Sequence, residues 1–141
     1  HRLGTKELES ACLTVEEVAE AAVVPVADEV KGRVPEIYVS LKPGYAATKE
    51  ITDKIVTTIE LMIGKIARPR AVHIVADMPK TRSGKIMRRV LAAISNTLDT
   101  GDITTLANPD VVEQIRQSVQ GKEKVATKEG PEDLKLFGKE E

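Results

Sequence analysis

Five isoleucines, Ile51, Ile55, Ile59, Ile63 and Ile66, recur at spacings of four or three, which forces this stretch into a helix with one apolar face against a core. Thr48 and Glu50 supply a cap and a first-turn acid, and Pro69 blocks continuation. Such a stripe needs a partner layer, and the flanking runs provide one. Residues 21–26 are too continuous and too β-branched for anything but a buried strand. After a turn at Lys31-Gly32, Val34, Ile37, Val39 and Leu41 form a second strand that Pro43-Gly44 ends, and residues 71–75 form a third. Upstream, Thr5 caps a short helix with Glu7 in its first turn, Leu8, Cys12 and Leu13 inward, and an end near Leu13; Thr14 and Glu17 have capping-box spacing for a brief turn. Downstream, Ile86, Val90, Leu91 and Ile94 begin another helix. The expectation is an α+β domain: a small three-stranded, mainly antiparallel sheet covered by helices, with a C-terminal helical extension and a polar tail.

The core must be aliphatic, because Tyr38, Tyr45 and Phe137 are the only aromatic residues. Their scarcity also argues against base stacking on nucleic acid, and a net charge of −1 agrees. No apolar run approaches the roughly 20 residues needed to span a bilayer. The single cysteine, Cys12, excludes an intrachain disulfide, suits a reducing, cytoplasmic compartment and reads as a small buried hydrophobe. The chain opens on His1 without methionine or a targeting segment and reads as an excised piece.

Chemistry concentrates in residues 79–89, Pro-Lys-Thr-Arg-Ser-Gly-Lys-Ile-Met-Arg-Arg, where five positive charges surround Gly84 as strand gives way to helix. Lys85, on a small mobile Ser-Gly turn, can reach outward as a point charge with three donors, suited to a carboxylate or a phosphate developing charge. A phosphate-cradling G-x-x-x-x-G-K-[ST] loop is excluded: Pro79 stands where its first glycine belongs and Ile86 where its hydroxyl belongs. Lys85, Arg88 and Arg89 are expected in the first helical turn, beside the positive end of the dipole, which is unfavourable without an anion.

The same eleven residues resemble the lysine-bearing C-terminal motif of the acyl-adenylate-forming enzymes, in the wording of the AMP-forming acetyl-CoA synthetases. Residues 1–5 with Glu7, Leu8, Glu9 and Ser10, then residues 19–24, Lys31-Gly32, Ile63-Gly64 and residues 102–108 continue the resemblance in order. It covers residues 2–119 and implies a C-terminal lid domain, leaving 120–141 as a charged tail.

The resemblance implies a lid that serves acetyl-adenylate formation from acetate and ATP, then rotates to support acetyl transfer to CoA, inactive without the N-terminal domain that binds ATP, Mg²⁺ and the acyl group. Lys85 matches the adenylation lysine, which in this family is also reversibly acetylated by a lysine acetyltransferase and restored by a deacetylase; Lys80, Arg82, Arg88 and Arg89 would be the docking surface. Arg2 matches an arginine that reaches the nucleotide phosphate. Glu60 stands where the family places a CoA-binding arginine, so Lys65, Arg68 or Arg70 must substitute or CoA is held differently. Backbone carbonyls of Leu13, Val15 and Val18 match a cation site in some relatives. Acetate is not separated from propionate or other short acyl groups.

Two further readings stand beside this one. Residues 68–89 carry seven lysines and arginines against Asp77 alone, as a basic binding module would. The chain could also be a structural domain that keeps Lys85 as scaffold. His73, inside an apolar strand, reads as a satisfied sheet residue and not a ligand.

Overall fold

The computed structural model describes residues 4–129, with side chains placed through Gly121. Helix α1 (Thr5–Leu13) leads into strands β1 (Val18–Asp28) and β2 (Gly32–Leu41). Helix α2 (Lys49–Met62), a 3-10 turn (Lys65–Ala67) and β3 (Ala71–Ile74) follow, then α3 (Arg88–Ser95) and α4 (Asp110–Glu129). The helical extension is therefore α4, which passes residue 119 without interruption. His1, Arg2, Phe137 and the tail from residue 130 lie outside the described residues.

β1 and β2 form an antiparallel hairpin from Val18↔Leu41 to Asp28↔Gly32. Its turn is fixed by the Asp28 carboxylate, which accepts the Val30 and Lys31 N–H groups at 3.1 and 2.8 Å, and by Gly32 at a φ of 85°. β3 pairs with the other side of β2 in parallel, from Glu36↔Ala71 to Val39↔Ile74. A parallel return needs a crossover, and α2 is that crossover. The sheet is mixed, in the order β1-β2-β3, with most of its length antiparallel.

Helices cover both faces. Ala21, Val23, Ile37 and Val39 join Leu8, Cys12, Ile51, Ile55 and Ile59 in one core, while Ala22, Val24, Val26 and Tyr38 join Val90, Leu91, Ile94, Leu106 and Ile115 in the other. With neither face wet, β1 has no reason to alternate polar with apolar, and its run reads as continuous. Tyr38 is the exception to an all-aliphatic interior: its ring is fully buried and its hydroxyl lies 2.7 Å from Ser95 Oγ.

Local expectations need four corrections. The cap of α1 is Gly4, with Thr5 the first helical residue; Thr14 closes this helix by donating to the Ala11 carbonyl at 2.7 Å, and the brief turn expected after it runs on to Val18. Leu13 is half exposed because it falls off the Leu8–Ala11–Cys12 face. Ile66 is 75% exposed, since Gly64, at a φ of 131°, breaks the helical phase after Ile63. Ile86 precedes the next helix, bridging instead to Lys80. As expected, Thr48 caps α2 by accepting the Ile51 N–H at 3.3 Å.

The outer edge of β1 is closed by side chains. Val23 N–H donates to Glu9 Oε2 at 2.9 Å and Ala27 N–H to Asn96 Oδ1 at 3.0 Å; Pro25 between them has no N–H, and its carbonyl accepts Asn96 Nδ2 at 3.2 Å. Among the described residues, no helix is long and apolar enough to cross a membrane.

Candidate functional site

Buried Met78 and Pro79 anchor the chain where it leaves β3, and residues 79–87 fold back as a miniature hairpin. Thr81 N–H donates to the Lys85 carbonyl at 2.9 Å, Met87 N–H to the Pro79 carbonyl at 2.8 Å, and Lys80 bridges Ile86. At the tip, Gly84 takes a φ of 91°, its N–H bonds the Thr81 carbonyl at 2.9 Å, and Thr81 Oγ1 accepts the Lys85 N–H at 3.2 Å while lying 3.0 Å from Ser83 Oγ. Lys85 thus sits outside α3, directly after the Ser83-Gly84 turn of a hydrogen-bonded hairpin.

The surrounding cations divide sharply. Lys80 Nζ pairs with Glu20 at 2.7 Å, and that hydrogen bond raises its pKa against a smaller burial effect. Arg88 makes a two-pronged pair with buried Glu9, 2.8 Å from Nε to Oε2 and 2.7 Å from Nη2 to Oε1. Arg89 donates to the Thr100 and Asp102 carbonyls at 2.6 and 2.8 Å. The charge at the start of α3 is therefore satisfied within the domain, contrary to the expectation that it awaits an anion. Among the described residues, the exposed side chains of Arg82 and Lys85 make no hydrogen bond or ion pair. With Arg68 on Glu60 and Arg70 on Glu36, five of the seven cations of residues 68–89 (Arg68, Arg70, Lys80, Arg88 and Arg89) are committed inside the fold.

His73 is a core sheet residue as expected, but only half satisfied: Nε2 lies 2.9 Å from Glu36 Oε1, while Nδ1 is buried without a hydrogen-bond partner among the described residues. Ser95 donates to the same Glu36 oxygen at 2.6 Å and Arg70 lies 3.0 Å from the other. Burial works against the Glu36 carboxylate, but the His73 and Ser95 hydrogen bonds and the His73 and Arg70 charges prevail and hold its pKa below the usual range. Burial, aided by the nearby Glu9 charge, pushes the Cys12 thiol up to about 12.

Glu60 pairs with Arg68 at 3.4 Å, so the two residues that departed from a usual arginine and offered to replace it are tied to each other. In the turn between α1 and β1, the Val15 carbonyl accepts the Val18 N–H at 3.0 Å; Leu13, Val15 and Val18 would offer an ion only backbone oxygens. No group of three His, Cys, Asp or Glu side chains converges as a metal centre among the described residues.

Sequence reasoning gave no structural role to the residues that hold the hairpin. Glu9 and Glu20 anchor its flanks, and Asn108 runs along its stem, accepting the Lys80 N–H at 2.9 Å and donating to the Met78 carbonyl at 2.7 Å and Asp77 Oδ2 at 3.2 Å. A signal existed for Glu9, an acid beside Leu8 and ahead of Ala11 and Cys12 on the inward face; Asn108, 28 residues from Lys80, was marked only as part of the resembling run 102–108.

Similarity to known proteins agrees with this geometry. Acetyl-coenzyme A synthetase of Pyrobaculum arsenaticum is 47% identical over 120 residues, 85% of this chain and 18% of that protein. The Emericella nidulans acetyl-coenzyme A synthetase is 47% identical over 121 residues, again 84% of the chain against 18% of the relative. The chain thus spans less than a fifth of these relatives. Among solved structures, an acyl-CoA synthetase of Brucella canis superposes with a TM-score of 0.63 at 36% identity, over 67% of this chain and 18% of that one. Acetoacetyl-CoA synthetase of Streptomyces lividans shares the fold with a TM-score of 0.68 over 86% of this chain and 18% of its own, at 22% identity. Residues 7–85, more than half of the chain and ending on Lys85, match the family described as the AMP-binding enzyme C-terminal domain, and the chain belongs to that family.

Proposed function

We propose that the chain is the C-terminal lid of an AMP-forming acetyl-CoA synthetase, with Lys85 serving its adenylation step. One observation carries this reading: in a domain of this family, Lys85 projects free from a braced hairpin while Lys80, Arg88 and Arg89 are spent on structure. In the first half-reaction an acetate oxygen attacks the α-phosphorus of ATP and pyrophosphate leaves. In the second, the CoA sulfur attacks the acyl carbon, AMP leaves and the thiol proton is lost. The Lys85 ammonium would hold the attacking carboxylate and meet charge developing on the α-phosphate oxygens. Mg²⁺ and most nucleotide contacts are assigned to the length of the relatives beyond this chain, and a phosphate contact to Arg2. Rotation of the lid would withdraw Lys85 before thioester formation.

Acetylation of Lys85 would remove the charge and the donor that the first step uses. Arg82 is then the remaining cation with which a modifying enzyme could steer itself to the tip. Backbone carbonyls of Leu13, Val15 and Val18 would suit a hard cation, Val15 through its second lone pair. Acetate is preferred over propionate on the names of the relatives, and a cytoplasmic setting on the free, buried Cys12.

The test places this chain in the corresponding C-terminal position of an acetyl-CoA synthetase and compares it with Lys85→Ala. Acetate-dependent ATP–pyrophosphate exchange should fall by about two to three powers of ten, with thioester formation from preformed acetyl-adenylate retained. Exchange left intact would sink the reading and return Lys85 to the role of scaffold. A basic binding module is disfavoured because five of its seven cations are already committed; salt-sensitive retention on DNA would revive it.

A further inference from the structure

We infer that Asn108 is a positioning residue for Lys85, acting through the hairpin stem. The inference rests on the adenylation reading above and goes beyond it. Lys85 is exposed and its ammonium makes no hydrogen bond or ion pair among the described residues, so its location depends on how the strands beneath it are held. One strand, residues 85–87, is secured by its pairing with residues 79–81. The other is secured from outside by residues 106–108. Thr81 bridges Leu106, Ala107 N–H donates to the Lys80 carbonyl at 2.8 Å, and the Asn108 side chain closes the row by taking the Lys80 N–H and giving its own protons to Met78 and Asp77. Residues 78–81 thereby lie between two partners and form the middle strand of a three-stranded patch.

Asn suits this place chemically. Its amide presents an acceptor and a donor a few ångströms apart, matching a backbone N–H at residue 80 and a backbone carbonyl at residue 78, as an added peptide unit would. A carboxylate would keep the first bond and oppose the second. Asn108 is also tied to the next element, since its own carbonyl accepts the Val111 N–H at 3.1 Å as α4 begins. Buried Leu106 fixes the segment to the core. The row therefore runs from α4 to Lys85 without a side chain of Lys85 taking part, which leaves the ammonium free for chemistry while its base is fixed.

The experiment uses the chimaeric full-length synthetase and measures both half-reactions for Asn108→Ala, Asn108→Asp, Leu106→Ala and Lys85→Ala. For Asn108→Ala, kcat for pyrophosphate exchange should fall about 10- to 100-fold, as a displacement near 1 Å does, with KM for ATP within twofold. Thioester formation from preformed adenylate should stay within twofold. Asn108→Asp, which keeps the acceptor, should lie between wild type and Asn108→Ala. Leu106→Ala, which loosens the same segment without removing the amide, should lower stability and depress both half-reactions together. Exchange by Asn108→Ala within twofold of wild type, alongside a dead Lys85→Ala, overturns the positioning role alone; so does a parallel loss in both half-reactions. An unaffected Lys85→Ala overturns the adenylation reading and this inference with it. If Asn108→Ala does not fold, the split between half-reactions in Asn108→Asp decides in the same way.

Discussion

Glu9 does two jobs with one carboxylate. From a buried position on α1 it accepts the Val23 N–H and clasps the Arg88 guanidinium. Glu9→Ala leaves a buried donor and a cation without partners, and urea unfolding should register a loss of about 2–3 kcal/mol; a loss below about 0.5 kcal/mol, the level of an ordinary surface change, would contradict this account. Cys12 beside it should resist thiol reagents at neutral pH in the native domain and react on denaturation, because burial holds its proton. Rapid native labelling would show that α1 opens. At this scale the sequence was legible for residues whose chemistry is local. Lys85 announced itself through Ser-Gly and its basic neighbours, and Cys12 through Leu8 and Ala11. Glu20, Glu36 and Asn108 did not, since each earns its role from a partner 28 to 60 residues away that no local pattern reveals.

Among the elements, α2 was the most legible, because a stripe of isoleucines and a capping Thr48 agree with one another; its end was not, since Gly64 breaks the helix before the Pro69 expected to block it. Thr48→Ala should cost about 1 kcal/mol, read as a lower unfolding midpoint with unchanged fold by circular dichroism. The direction of β3 was not legible: four residues cannot announce parallel pairing, which follows from α2 crossing the sheet. Between the sheet and α3 lies the Glu36 network, with His73 on β3, Arg70 just before it, and Ser95 on α3. Its carboxyl titrates lower in the folded chain than in the unfolded one, so its contribution to stability is present above the unfolded value of about 4.3 and is lost as pH falls through the folded value. Glu36→Gln should therefore flatten the acid limb of the stability profile measured between about pH 5 and pH 2. An unchanged slope would mean that other carboxylates govern acid unfolding.

Taken whole, the molecule is two separate aliphatic cores divided by one sheet. Ile55→Ala on one face and Leu91→Ala on the other should each cost about 2–5 kcal/mol, and the double variant should equal their sum to within about 0.5 kcal/mol, because the sites share no partner. Marked non-additivity in denaturant unfolding would show that the sheet transmits strain from face to face. Composition made the aliphatic interior legible, but not its division in two; the unbroken run of residues 21–24 was the trace of it, a strand with no dry side to distinguish from a wet one. The sealed margin of β1 bears on what many copies do together. A strand bordering solvent invites a second chain to zip onto it, and repetition of that step builds fibrils. Between residues 23 and 27 such a newcomer would meet a carboxylate, a proline ring and an amide already engaged, so templated growth lacks its first rung there. The carboxylate that braces the base of the Lys85 hairpin thus also keeps neighbouring molecules apart.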